Sequence, residues 1–97
     1  MRTHNLKTWP EFFEEIVSGR KTFEVRRDDR GFAVGDILVL KEYDPAIHAS
    51  SVLSSGGYTE REETFQVSYK LRGGDLGIEK GFCVLGISKT FRQESSP

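Results

Sequence analysis

Residues 8–27 read TWPEFFEEIVSGRKTFEVRR, and a change of rhythm inside this stretch decides the fold. In its first half Trp9, Phe12, Phe13, Ile16 and Val17 recur at the spacing of one helical face, while Glu11, Glu14 and Glu15 fall elsewhere. Thr8 and Glu11 stand at capping-box spacing, Pro10 suits a first turn, and Gly19 suits a C-terminal end. The early glutamates complement the positive end of the helix dipole. A helix is predicted here, with its aromatic side chains, Trp9 included, in the core. After Gly19 the period drops to two. Phe23 and Val25 alternate with Thr22, Glu24 and Arg26, as in a strand. The apolar pair is expected to anchor that strand in the core, leaving Glu24 and Arg26 together on the opposite face.

Outward from this junction the remaining segments read as strands. RTHNLK precedes the helix, and AVGDILVLKEYD enters a strand through a Gly-Asp turn, apolar on both faces in its first half. TFQVSYKL alternates, with Phe65, Val67, Tyr69 and Leu71 opposite Thr64, Gln66, Ser68 and Lys70. GFCVLGIS closes the series as a buried strand, in which Gly86 marks a bend or bulge. The order is strand, helix, then four or five strands. This predicts an α+β fold, a small mixed β-barrel of five or six strands with one main helix near its mouth. One domain is expected over residues 1–91. Residues 44–57, DPAIHASSVLSSGG, are too long for a hairpin turn and are expected to form a mobile loop insertion. The tail, residues 92–97, is expected to be disordered.

Composition narrows the classes. Ninety-seven residues suffice for one modest core, and a charged fraction of 30% suits a hydrated surface. A net charge of −1 excludes a globally basic nucleic-acid binder but not a local basic patch. Cys83, the single cysteine, lies in an apolar run. It excludes an internal disulfide and a thiolate metal cluster, and reads as a buried structural thiol. No apolar run approaches a membrane span and no secretory leader is apparent, so a cytoplasmic location without membrane association is expected. No metal or other cofactor is expected.

Conventional catalytic motifs are scarce: there is no nucleophile elbow, phosphate-binding glycine loop or histidine pair at metal spacing. His48 reads as a solvated loop histidine. His4 either lines a cleft or serves the structure. The charge concentrates instead in residues 19–30, GRKTFEVRRDDR, with five cations and three acids. A carboxylate held beside a guanidinium accepts from a base edge while the cation meets phosphate or a carbonyl oxygen. The structural reading of the same residues is a surface strand with self-compensating ion pairs, each contributing little.

Laid in order, Gly19, Lys21, Glu24 and Arg26 form the pattern G-x-K-x-x-E-x-R, and Val34 to Asp36 supply the VGD that leads into the next strand. On these residues most of the chain resembles an ASCH domain of the PUA-like superfamily, and in particular a small stand-alone ASCH-like family of unknown function from bacteria and phages. The resemblance implies a barrel with a cleft beside its helix, where Lys21, Glu24 and Arg26 bind RNA. On this reading the nucleic-acid-binding residues are Lys7, Lys21, Glu24, Arg26, Arg27, Arg30 and Tyr58. The last is the freest of the stackers Trp9, Tyr43 and Tyr58. RNA or a modified nucleotide is the expected partner.

Two alternatives stand beside this. Some ASCH-like proteins are amidohydrolases acting on acylated cytidine, and others are ribonucleases. Lys21 and Glu24 are then candidates for acid and base roles in a hydrolase acting on a modified nucleoside or RNA. Glu24 stands where the amidohydrolases carry a threonine nucleophile, which removes their covalent route. The third reading is a non-enzymatic accessory protein that binds another protein through residues 44–57.

Overall fold

The computed structural model describes residues 1–50 and 56–89, without the side chains of 48–50. The elements are β1 (Thr3–Thr8), α1 (Pro10–Val17), β2 (Phe23–Arg27), β3 (Ile37–Tyr43), α2 (Pro45–Ser50), β4 (Tyr58–Arg72) and β5 (Phe82–Lys89). Five strands form one sheet in the order β1-β3-β4-β5-β2, parallel between β1 and β3 and antiparallel elsewhere. The sheet curls into a half-barrel around α1, giving a small α+β domain.

The two edge strands, β1 and β2, face each other across the open side, and side chains rather than backbone pairs span the gap. Arg26 Nη2 donates to the carbonyl oxygen of Lys7 at 2.8 Å, and Arg30 Nη1 donates to that of Asn5 at 3.1 Å. Arg2, from the chain's start, donates to the carbonyl oxygens of Arg30 and Gly31. Guanidinium forks thus satisfy edge acceptors that a further strand would otherwise take.

The core gathers Leu6, Phe13, Ile16, Phe32, Leu38, Leu40, Phe65, Val67, Cys83, Leu85 and Ile87. Of the apolar stripe of α1, only Phe13 and Ile16 are buried and Val17 partly so. Trp9 and Phe12 are 53% and 43% exposed, which corrects their expected place in the core. The expected capping box is also absent. Thr8 is the last residue of β1, its side chain turned inward by the strand's alternation, so it cannot fold back on the helix. The helix begins instead behind an extended Trp9, with Pro10 at its first position and no side-chain cap. It ends at Gly19, whose φ of +88° belongs to the left-handed region that favours glycine.

Strand β2 alternates as expected but with its faces exchanged. Glu24 is 4% exposed, while Phe23 and Val25 are 43% and 50% exposed. The inward face of this edge strand meets the seam rather than the sealed core, and Glu24 finds cations there. A second reversal occurs in β4. The register shifts between Val67 and Tyr69, opposite Gly86, where an added Cβ would lie 3.2 Å from Ser68 Oγ. The extra residue turns Tyr69 out to 63% exposure and Lys70 in, where Nζ meets the Phe32 carbonyl and Asp28.

Two further polar groups hold the frame. His4 Nε2 donates to Asp36 Oδ2 at 2.9 Å, and Asp36 also accepts the backbone N–H groups of Arg2 and Ala33. The His4 bond, aided by those N–H groups, holds the Asp36 carboxyl down at about 2 against the opposing effect of burial. His4 therefore serves the VGD turn and not a cleft. Buried Glu42 accepts from Thr59 Oγ1 at 2.6 Å. Cys83 is fully buried, and burial pushes its thiol up, as expected of a structural cysteine.

Within the expected loop insertion, residues 45–50 form the short helix α2, with Asp44 Oδ1 accepting from the Ala46 N–H in its first turn. The rest of the expected insertion through residue 55, and the tail from residue 90, lie outside the described residues. Among the described residues no helix is long and apolar enough to cross a membrane.

Candidate functional site

The seam that Arg26 bridges holds a cleft of about 250 Å³ lined by Lys7, Thr8, Trp9, Phe12, Glu24, Val25 and Arg26. Its walls follow directly from the chain order. One comes from the end of β1 and the start of α1, the other from the middle of β2. At roughly 30 Å³ per water, the space takes about eight water-sized groups, the scale of a single base. It lies just below the ~300 Å³ lower end for drug-sized ligand pockets.

Glu24 and Arg26 line it as a pair. Arg26 Nε donates to Glu24 Oε1 at 3.2 Å, and Arg26 Nη2 also approaches Thr8 Oγ1 at 3.3 Å. The three contacts of Arg26, to Glu24, Thr8 and the Lys7 carbonyl, fix its fork across the seam. The second carboxylate oxygen, Glu24 Oε2, is buried and accepts no hydrogen bond among the described residues. Its compensation is electrostatic, from Lys21 Nζ at 3.7 Å.

Lys21 does not line the cleft. Its Nζ donates to the Phe23 carbonyl at 2.6 Å and lies 4.8 Å from the Phe23 ring, behind Glu24. The G-x-K-x-x-E-x-R residues therefore meet, but with the lysine as backing and the other two charges as floor. Lys7 stands at the lip, its Nζ 4.4 Å from the Tyr43 ring and 5.9 Å from that of Tyr58. Tyr58 packs edge-on against Tyr43 at 5.0 Å and lines a separate hollow with Lys41, Glu60, Arg61 and Glu62. Lys7 connects it to the cleft.

Arg27 and Arg30 also lie outside the cleft but next to it. With Leu6, Arg26, Asp29 and Phe32 they line a pocket of about 140 Å³ farther along the seam. The Arg27 guanidinium rests 5.0 Å from the Phe82 ring. Asp28 is turned away to Lys70 of β4 at 2.9 Å, so this part of the RRDDR turn is compensated from another strand and not from within the charged run.

Thr8, Trp9, Phe12 and Val25 are lining residues that sequence reasoning did not place. The signal for Phe12 was the breadth of the helical stripe. Phe12 to Val17 spans about 140° of the helix surface, against roughly 100° for a core-facing stripe, so one edge had to emerge. Trp9 and Phe12 lie nearly parallel, 13° between planes and 6.4 Å between centroids, and present apolar faces beside the charged floor.

Among the described residues no cluster of His, Cys, Asp and Glu has the form of a metal site. Fold and cleft together define a class: a small half-barrel whose open seam is bridged by arginine and carries a carboxylate–guanidinium floor under exposed aromatics. The chain belongs to the family described as domain of unknown function DUF3850, whose model matches residues 3–87. No curated protein matches it.

Proposed function

We propose that the seam cleft binds single-stranded RNA, or a modified nucleotide, by receiving one base between the Glu24–Arg26 floor and the Trp9–Phe12 wall. The observation that carries this reading is the cleft's lining, in which the Glu24–Arg26 pair, joined at 3.2 Å, stands beside the half-exposed Trp9 and Phe12. A base edge with amino or imino N–H groups donates to the Glu24 carboxylate, while Arg26 meets a carbonyl oxygen. The half-exposed Trp9 and Phe12 supply stacking, which tolerates different bases because each has a π face.

The grouping of Lys21, Glu24 and Arg26 at the helix–strand junction also supports a PUA-like origin of the half-barrel, in the ASCH branch. A cytoplasmic setting agrees with a single cysteine that is buried. The hydrolase reading is tested alongside, with the same RNA and with an acylated nucleoside. Labelled single-stranded RNA is titrated by fluorescence anisotropy against the wild type and Arg26→Ala, and the RNA is then checked for integrity. Binding that weakens at least about tenfold in Arg26→Ala, with intact RNA, is expected from the loss of charge-assisted contacts. Cleavage dependent on Lys21, or release of acid from an acylated nucleoside, moves the pair of Lys21 and Glu24 into catalytic roles. Absence of binding to RNA and nucleosides alike defeats the proposal.

A further inference from the structure

Beyond the cleft, the sheet carries an apolar surface on its outer face, and the register of three strands places it. Pairing sets Phe23 of β2 and Tyr69 of β4 on either side of Gly86 of β5. In the next row Val25, Val84 and Leu71 align the same way. These side chains point outward because their chain neighbours Glu24, Leu85 and Lys70 point in. The bulge at Ser68 turns Tyr69 onto this face, and Gly86 has no side chain to fill the space beside it. At roughly 4.8 Å per strand, Phe23 and Tyr69 start roughly 10 Å apart, with open space above the glycine between them.

The face is continuous with the cleft. Val25 lines the cleft and is the next outward residue after Phe23, roughly 7 Å along β2. Lys21 Nζ lies 4.8 Å from the Phe23 ring and 5.7 Å from the Phe12 ring, so it joins the cleft wall to the outer face. The outward positions of β2 and β5, and of β4 after the bulge, hold no acid. Their one charged residue is Arg27, which lies 5.0 Å from the Phe82 ring and forms no ion pair among the described residues. Tyr58, by contrast, shares its hollow with Glu60 and Glu62, which oppose a polyanion.

Size separates the possible occupants. Phe23, Val25 and Tyr69 are 43%, 50% and 63% exposed. Together they offer roughly 300 Å², taking 150–250 Å² for each large side chain. A standard protein interface takes about 800 Å² from each partner. Flat bases need only the ring faces that are already there.

We infer that this face is a second stacking platform, over which a single strand of RNA continues after leaving the cleft. Its next bases rest on Phe23 and Tyr69, across Gly86, and a phosphate meets the Arg27 fork. The ligand rests on the nucleic-acid reading of the cleft; the residues of the platform do not.

Calorimetry on the full chain tests this with a 5′-mononucleotide and a hexanucleotide of the same base. Each is measured on the wild type, Tyr69→Thr, Phe23→Thr and Trp9→Ala, with thermal melts to verify folding. Tyr69 is mostly exposed and threonine suits a strand, so that variant stays informative if Phe23→Thr disturbs the edge strand. The hexanucleotide is expected to bind about tenfold or more tightly than the mononucleotide. In Tyr69→Thr its affinity should fall about fivefold or more, with mononucleotide binding unchanged. Equal affinity for both probes overturns the platform and leaves the cleft standing, as does a hexanucleotide affinity that falls in Trp9→Ala but in neither platform variant. Hexanucleotide binding that depends on Tyr69 and not on Trp9 does the reverse. Silence from both probes overturns both. Sedimentation supplies the remaining outcome: self-association of the wild type that Tyr69→Thr abolishes, without change in hexanucleotide binding, assigns the face to a second copy and overturns the platform.

Discussion

Glu24 and Asp36 are both buried carboxylates, and their surroundings give them opposite roles. Asp36 has every need met, by His4 and two backbone N–H groups, and its pKa is lowered from 3.8 to about 2. A depressed folded-state pKa contributes stability that is complete above the unfolded value and lost as pH falls through the folded one. The contribution is therefore full above about pH 4 and gone below about pH 2. It amounts to about 2 kcal/mol at 1.36 kcal/mol per pH unit. Asp36→Asn should lose that amount in urea melts at pH 7 and converge with the wild type as pH approaches 2; a deficit independent of pH would contradict the assignment. Glu24 instead shares its charge with Arg26 and Lys21 and lines the cleft, so it marks the site and Asp36 the frame.

Helix α1 divides its labour along its length. Phe13 and Ile16 seal the half-barrel, while Phe12 and the preceding Trp9 face the cleft. Phe13→Ala should cost about 3–5 kcal/mol of stability, as for other buried phenylalanines. Trp9→Ala should stay within about 1 kcal/mol of wild-type stability yet weaken RNA binding by about 1–3 kcal/mol through lost stacking. The reverse pattern, in melts and anisotropy, would return Trp9 to the core. The helix, the order of the strands and their periods were legible because burial imposes 3.6- and 2-residue rhythms. Which face of β2 turns inward was not. Alternation sets the period, and hydrophobicity then favours Phe23 and Val25 inside. Only the seam, made by β1 sixteen or more residues earlier in sequence, makes an inward Glu24 and Arg26 acceptable. Tyr69 failed for a related reason: one bulged residue at Ser68 reverses every later side chain, and nothing local in TFQVSYKL announces it.

At the scale of the whole molecule, the functional reading depends on a barrel that does not close. The gap between β1 and β2 is spanned by Arg26 and Arg30, and both cavities lie in it. The motif residues were visible in sequence as a charged run, but their division into a cleft floor and a backing lysine required the curl that brings Lys7 and Glu24 together. Because the positive region is local, the RNA footprint should be small. With about two phosphates contacted, the logarithm of affinity should fall against the logarithm of salt with a slope of about −1 to −2. A slope several times steeper in a salt titration would point to a broader surface. The claim that the seam is the binding site is tested most directly by an amide NMR titration of the protein with a short single-stranded RNA. Perturbations should cluster at Lys7–Phe12 and Glu24–Arg26, with the Trp9 indole N–H among the largest. Perturbations centred on Lys41 and Tyr58–Glu62 instead, or none at saturating RNA, would contradict it.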